Sequence, residues 1–332
     1  MSIPDSRFPV AVSGRVVVTG SVAFDYLMTF PGRFVEHLIP DRLSRLSVSF
    51  LVDEMRRVPG GCGPNIAYSL ALLGDTPLLF ATAGRDAADY RDRLAAEGVD
   101  VSGLLLHDDV FTASFFVSTD RDQNQIASFY TGAMARAGDL SIESLDASSV
   151  ALVVISPNDP GAMARYAAEC RSLRVPFLYD PSQQVARLTG EELKEGMDGA
   201  SIVIVNDYEF GILTHKTGLS REEIEERIPA LVVTHGAEGS TISVSGRGEQ
   251  VPAARLEGEA VDPTGVGDAF RAGLIRGLRI GAPWGTAGRM GSVAAVYALE
   301  AIGPQPKRYA REEFRRRYVR NFGDDPSLEN LR

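Results

Sequence analysis

Six short apolar runs recur along the chain, most of them followed by a helical pattern, and that rhythm leaves few folds open. The runs lie at 16–20, 78–83, 151–156, 176–180, 201–206 and 231–234. They are rich in Val, Ile and Leu without strict alternation, as expected of strands buried on both faces. Helical patterns fall between them at 65–73, 85–97, 160–173 and 207–214, and Gly74, Gly98 and Gly218 stand where C-terminal caps belong. An α/β fold follows: a central, mainly parallel sheet with helices on both sides.

Two stretches, 28–57 and 104–131, break the rhythm. Alternating segments within them, 46–51 and 112–118, read as strands of an antiparallel sheet. Two such insertions can pair into a small β-sheet lid over the edge of the main sheet. The expected division is a large α/β catalytic domain of residues 1–27, 58–103 and 132–332, and a small β lid domain of 28–57 and 104–131. A hairpin is expected around 246–248, then closing helices at 267–279 and 283–301. The last basic stretch, 311–320, is helical in pattern and reads as a solvated face.

Bulk properties narrow the function. With 332 residues, 44% hydrophobic and 23% charged, the chain can bury a substantial core. Its net charge of −10 argues against nucleic acid and anionic membranes as partners, since both are bound by neutralising phosphates. An anionic ligand must be held by local features such as helix N-termini and single arginines. Cys62 and Cys170 are expected as reduced thiols, and the four histidines have no metal-ligand spacing. No basic start leads into an apolar leader, and no apolar stretch approaches the ~20 residues of a membrane span. A cytoplasmic protein is the expectation.

The strongest local signal is Asp262-Pro263-Thr264-Gly265-Val266-Gly267-Asp268, running straight into the helical Ala269-Phe270-Arg271-Ala272-Gly273. Glycines before a helix let backbone N–H groups gather round an anion, and the helix dipole adds to the attraction. Asp268 is badly placed to bind phosphate but well placed to take a proton from an attacking hydroxyl. An anion cradle paired with a base is what phosphoryl transfer to an alcohol requires. The plainer alternative is a loop with a capping Asp.

The other signals are weaker alone. Gly60-Gly61-Cys62-Gly63-Pro64-Asn65-Ile66-Ala67 lets a ligand approach the backbone, or is simply a turn before a helix. Asp25 follows the first strand, where a carboxylate can take the vicinal hydroxyls of a ribose, or stand at the surface. Asn206-Asp207-Tyr208-Glu209 puts Asn206 and Glu209 on one helix face, suited to water-coordinated Mg²⁺ or to an N-cap with a surface glutamate. Thr234-His235-Gly236-Ala237-Glu238-Gly239 follows a strand and could lie along a nucleotide, or be merely a turn.

Taken together, GGCGPNIA and DPTGVGD resemble the two signatures of the ribokinase-like (PfkB-type) kinases, in the family's order, with Asn206–Glu209 between them. The likeness covers about residues 15–305. Segments such as SVAFDYLMTFPGRF, SFLVDE, IASFYTGAM, DPSQQVARL and NDYEFGIL resemble bacterial adenosine kinases of this type. The resemblance implies an ATP-dependent kinase that transfers the γ-phosphoryl group to the 5′-hydroxyl of adenosine or a related ribonucleoside. It makes Asp268 the base and the backbone of Gly265, Val266 and Gly267 the anion hole. It gives the ribose hydroxyls to Asp25, Gly61 and Asn65, the purine faces to Phe115 and Phe129, and its edge to Gln183 or Gln184. Asn206 and Glu209 would organise Mg²⁺ through water, and Thr234, Gly236 and Gly239 would lie along ATP. A K⁺ ion near the anion hole and a homodimer through the lid belong to the same expectation. Many relatives carry Thr and Ala where this chain has Pro263 and Val266, but the donors that matter begin after the proline. The competing readings are a broader purine nucleoside kinase, a sugar kinase and a non-catalytic nucleoside sensor. A nicotinamide enzyme is a poor fit, because Gly20-Ser21-Val22-Ala23 lacks the GxGxxG spacing.

Overall fold

The computed structural model describes residues 13–38 and 47–331. Its central sheet has eight strands. In spatial order they are Leu78–Leu79 (β4), Arg15–Thr19 (β1), Val150–Ile155 (β9), Phe177–Tyr179 (β10), Ile202–Asn206 (β11), Ala230–Thr234 (β12), Ser240–Val244 (β13) and Arg247–Val251 (β14). Strands β4 through β12 in that order are mutually parallel, and β13 and β14 are antiparallel additions joined by a tight hairpin.

Burial on both sides explains the unbroken apolar runs. Val16 and Val18 point into one core and Val17 into the other, all at 0% exposure. The first core is built with helices Cys62–Leu72, Ala88–Ala96, Val266–Arg279, Trp284–Leu299 and Arg311–Phe322. The second is built with Pro160–Leu173, Gly190–Met197, Asp207–Thr217 and Arg221–Arg227.

A smaller sheet of four strands stands beside the central one. Its order is Glu54–Gly60 (β3), Ala23–Thr29 (β2), Ala113–Thr119 (β7) and Gln125–Tyr130 (β8). Of the alternating segment expected at 46–51, the described residues 47–51 form no strand. Leu46 lies outside the described residues, and the stretch after it is held by Phe50, whose ring packs edge-on against Phe30, Phe34 and His37. The ladder forms at β3 instead.

The run at 78–83 also divides. Phe80 N–H still bonds to Val18 O, but the next N–H, of Ala81, turns to Gly103 O. Ala81–Gly84 (β5) therefore pairs with Leu104–His107 (β6) in a separate two-stranded sheet. The helix expected from 85 begins at Ala88, because Asp86 accepts from Thr112 N at 2.8 Å and Thr112 Oγ1 at 2.7 Å, tying a loop. The tail at 311–320 is not wholly a solvated face: Phe314, Arg317 and Tyr318 are buried against the first core.

Helices Val266–Arg279 and Trp284–Leu299 cross at close range through glycines. A Cβ on Gly273 would stand 2.5 Å from Met290 O, and one on Gly277 would stand 2.5 Å from Ala287 Cα. Alanine ordinarily favours a helix interior over glycine by about 1 kcal/mol, but here it would wedge two backbones apart. Gly273→Ala is expected to lose about 1–3 kcal/mol, measured by urea unfolding. A stabilised variant would contradict this packing.

Candidate active site

The parallel strands end on a common side, and the loops leaving them line a cleft of about 1340 Å³. Ser21 follows β1, Pro157 follows β9, Ser182–Gln184 follow β10, Asn206 ends β11 and Thr234 ends β12. This is where open α/β sheets bind ligands.

One wall is the N-terminus of helix Val266–Arg279. Its N-cap Gly265 has φ 75°. A Cβ there would lie 2.1 Å from Pro304 O, so only glycine permits this approach. The first helical turn, Val266, Gly267 and Asp268, opens on the cleft with N–H groups that no earlier helical carbonyl can take. Asp268 is buried, and Asn65 Nδ2 donates to its Oδ2 at 2.9 Å. Gln305 Nε2 donates to Asn65 Oδ1 at 3.3 Å and to Tyr90 Oη at 2.8 Å, and Tyr90 Oη donates to Gly60 O at 3.1 Å. The carboxylate is thus held by a chain of side chains that ends at the small sheet.

Arg271 lies one turn on, with Nη1 so near Gly267 that a Cβ there would sit 2.5 Å away. It meets Asp180 at two points, Nη2 to Oδ1 at 2.6 Å and Nε to Oδ2 at 2.5 Å. Burial opposes charge on Arg271, but Asp180 and Asp268, with Glu209 adding less, outweigh it and hold the guanidinium protonated. Burial also pushes Asp180 up to about 7 against the pull of Arg271. The two-point contact with a group as basic as arginine makes the ionised pair the state consistent with both. Burial raises Asp268 above the usual carboxylate range, with Arg271 and Asn65 pulling it back and Glu209 adding to the rise. Burial, Asp268 and Asp180 drive the Cys62 thiol upward, which suppresses a nucleophilic thiolate. Cys62 and Cys170 are both free thiols.

The small sheet supplies another wall. Asp25 of β2 pairs with Phe115 of β7, and Phe115 with Phe129 of β8, so the three form one rung across the sheet. All three line the cleft. Burial, and then the nearby Asp262, raise Asp25 to about 6.

The remaining sequence candidates, Gly61, Gln183, Gln184, Asn206, Glu209, Thr234, Gly236 and Gly239, line the same cleft. The two glutamines are not equivalent. Gln184 is buried, with Nε2 donating to Asn158 O at 2.8 Å. Gln183 is exposed, and its Oε1 accepts from Ser182 Oγ at 2.9 Å. Asn206 and Glu209 form a capping box: Oδ1 accepts from Glu209 N at 2.7 Å, and Glu209 Oε2 accepts from Asn206 N at 2.8 Å. Glu209 is nonetheless buried, and not the surface residue of the plainer reading. Among the described residues no three His, Cys, Asp or Glu side chains are grouped to hold a metal. The Asn206 and Glu209 side chains at the cleft offer hard oxygen donors, the kind that meets Mg²⁺ through water.

Sequence reasoning assigned no role to Arg271, Asp180 or Arg187, which line or floor this cleft. A lone arginine in the otherwise apolar turn AFRAG was the available signal for the first.

The pfkB family carbohydrate kinase profile matches residues 18–309. A nucleoside kinase of Methanothermobacter thermautotrophicus is 30% identical over 316 residues, 94% of this chain and 98% of that one. A Burkholderia thailandensis nucleoside kinase solved with inosine has a TM-score of 0.83 at 38% identity, covering 94% of this chain and 99% of the other. The same kinase with ADP-inosine has a TM-score of 0.81 at 38% identity, covering 94% and 97%. The Methanocaldococcus jannaschii nucleoside kinase, an archaeal member of the ribokinase family, has the same fold, with a TM-score of 0.84 at 24% identity and coverage of 94% and 100%.

A carboxyl whose folded value lies above its ordinary 3.8 costs stability wherever it is ionised in the folded chain. Asp25→Asn is therefore expected to raise Tm by a few degrees at pH 8. The gain should shrink as pH falls through about 6 towards 3.8. Scanning calorimetry across pH checks the sign, and a gain independent of pH would contradict it.

Proposed function

For a chain that belongs to the pfkB carbohydrate kinase family and is an ATP-dependent nucleoside kinase, we propose that the acceptor is the 5′-hydroxyl of a purine ribonucleoside, adenosine foremost. The observation that carries this is the rung Asp25–Phe115–Phe129, which lines the same cleft as Asp268. A carboxylate in register with two aromatic rings suits a molecule whose ribose diol and flat base are held side by side. A bare sugar offers no face to stack.

In this reading Asp25 and the backbone at Gly61 hold the ribose hydroxyls, and Asn65 contributes while keeping Asp268 turned towards the acceptor. Phe115 and Phe129 stack on the base, and Gln183 reads its edge. A glutamine amide carries both donor and acceptor and can turn over to match adenine or hypoxanthine. Inosine is therefore the second reading, supported by the inosine complex of the Burkholderia relative.

Asp268 takes the 5′-hydroxyl proton as that oxygen attacks the γ-phosphorus. The new O–P bond forms as the bond from γ-phosphorus to the bridging oxygen breaks, and ADP leaves. The amides from Gly265 to Gly267 and the Arg271 guanidinium face the charge on the transferring group. Thr234, Gly236 and Gly239 lie along the donor nucleotide. Asn206 and Glu209 would hold Mg²⁺ through water, and the ion would offset charge on the donor phosphates.

The outward face of the small sheet presents Met55, Phe116, Ile126 and Tyr130, 63%, 38%, 43% and 44% exposed. An apolar face of this kind supports a homodimer through that sheet. Sedimentation equilibrium should give twice the chain mass, and Phe116→Glu with Ile126→Glu should halve it.

Initial rates of ATP-dependent phosphorylation of adenosine, inosine, guanosine, cytidine and ribose test the substrate. Purine nucleosides are expected to exceed ribose in kcat/KM by about 100-fold or more, and Phe115→Ala to lose about 10-fold or more on adenosine. Ribose turning over as well as adenosine would sink the nucleoside assignment.

A further inference from the structure

Arg317 is 2% exposed, although its neighbours Arg316 and Arg320 reach solvent. Its Nη1 donates to Glu300 Oε2 at 2.8 Å, and its Nη2 donates to Glu300 Oε1 at 2.7 Å and to Arg255 O at 3.3 Å. The guanidinium also lies 4.5 Å from the centre of the Tyr297 ring. Glu300, the C-cap of helix Trp284–Leu299, accepts in turn from Glu257 N at 2.7 Å and Gly258 N at 3.1 Å. Asn321 Oδ1 accepts from Arg255 N at 2.7 Å, and its Nδ2 donates to Arg317 O at 2.8 Å.

The backbone from 255 to 258 has no helix or ladder of its own, since β14 ends at Val251. It is fixed by side chains at four points: Arg255 N, Arg255 O, Glu257 N and Gly258 N. The adjoining residues Ala253, Ala254 and Leu256 line the cleft together with Ala295, Val296 and Leu299. These six make an apolar wall on the β12–β14 side of the sheet, across several strands from β1 and the small sheet it leads into. A wall of that chemistry beside the Gly236–Gly239 turn fits a second flat base, that of the phosphoryl donor.

We propose that Arg317 and Glu300 are positioning residues for the phosphoryl donor: the C-terminal helix clamps residues 255–258 so that the apolar wall is shaped before ATP arrives. The inference rests on the nucleoside-kinase reading of the cleft. It gives a role to the buried end of the arginine-rich tail. Freeing the segment obliges the nucleotide to order it on binding, which weakens the donor and spares the acceptor.

The test separates KM for ATP from KM for adenosine in Asn321→Ala, Arg317→Lys and Arg317→Ala, with the exposed Arg316→Ala as control. Lysine keeps the charge but cannot reach both Glu300 oxygens in the fork geometry of arginine. Expected are rises in KM for ATP of about 3-fold for Asn321→Ala and about 10-fold or more for Arg317→Ala, with Arg317→Lys between. KM for adenosine should stay within about 2-fold in each. Calorimetric ADP affinity should fall in parallel, and that readout needs no turnover. Asn321→Ala leaves the buried pair intact, so the test survives if Arg317→Ala does not fold. The proposal is overturned if ADP affinity and KM for ATP stay unchanged while Tm falls, or if both KM values rise together. Absence of turnover in the wild-type enzyme would sink the nucleoside-kinase reading instead, while ADP affinity in the variants still decides the clamp.

Discussion

The close approach of Gly265 to Pro304 sets where helix Val266–Arg279 begins, and the site is assembled around that start. With no side chain at Gly265, its backbone lies against the Pro304 carbonyl and the first turn opens on the cleft. The same helix then carries Asp268 and Arg271 to the floor of the site, three residues apart and so on one face. Farther along, its glycine-lined crossing with Trp284–Leu299 fixes its axis. A shift of this helix would move the first-turn amides, Asp268 and the Arg271 guanidinium together. That favours a site whose charges are arranged before the substrate binds.

Charge in the cleft is balanced locally, as a chain of net −10 requires if it is to hold polyphosphate. Asp268, Asp180 and Glu209 surround Arg271, so the guanidinium stays protonated while still facing the cradle. Asn65, steadied by Gln305, keeps one Asp268 oxygen as an acceptor. Because Tyr90 links Gln305 to Gly60 at the end of β3, Asp268 and the small sheet share one hydrogen-bonded chain. Movement of the small sheet would therefore be felt at Asp268.

Much of this was legible in sequence because it is local. The seven residues of DPTGVGD lie within two turns of backbone, and the apolar runs record burial on both faces of a strand. What was not legible depends on contacts distant along the chain. Arg271 and Asp180 are 91 residues apart, and nothing in either segment alone announces the pair. The split of 78–83 into β4 and β5 is a change of hydrogen-bond partner between neighbouring residues, invisible to hydropathy. Arg317 looked like one charge among several, because its burial is decided by Glu300 and Tyr297 on another helix. The aromatic cluster at Phe50 likewise overrode an alternating pattern that had the look of a strand.

The proposed catalysis turns on Asp268 acting as the base and not as a structural cap. The most direct measurement is single-turnover phosphorylation of adenosine by Asp268→Asn, with adenosine and ADP affinities determined on the same preparation. An amide oxygen can still accept from Asn65, so the cleft should keep its shape. With Asp268 as the base, affinities stay within a few-fold of wild type and the chemical step slows by about 10²–10⁴-fold. A variant that binds both ligands and turns over within about 10-fold of wild type would contradict it, leaving positioning and the anion cradle as the whole of the catalysis.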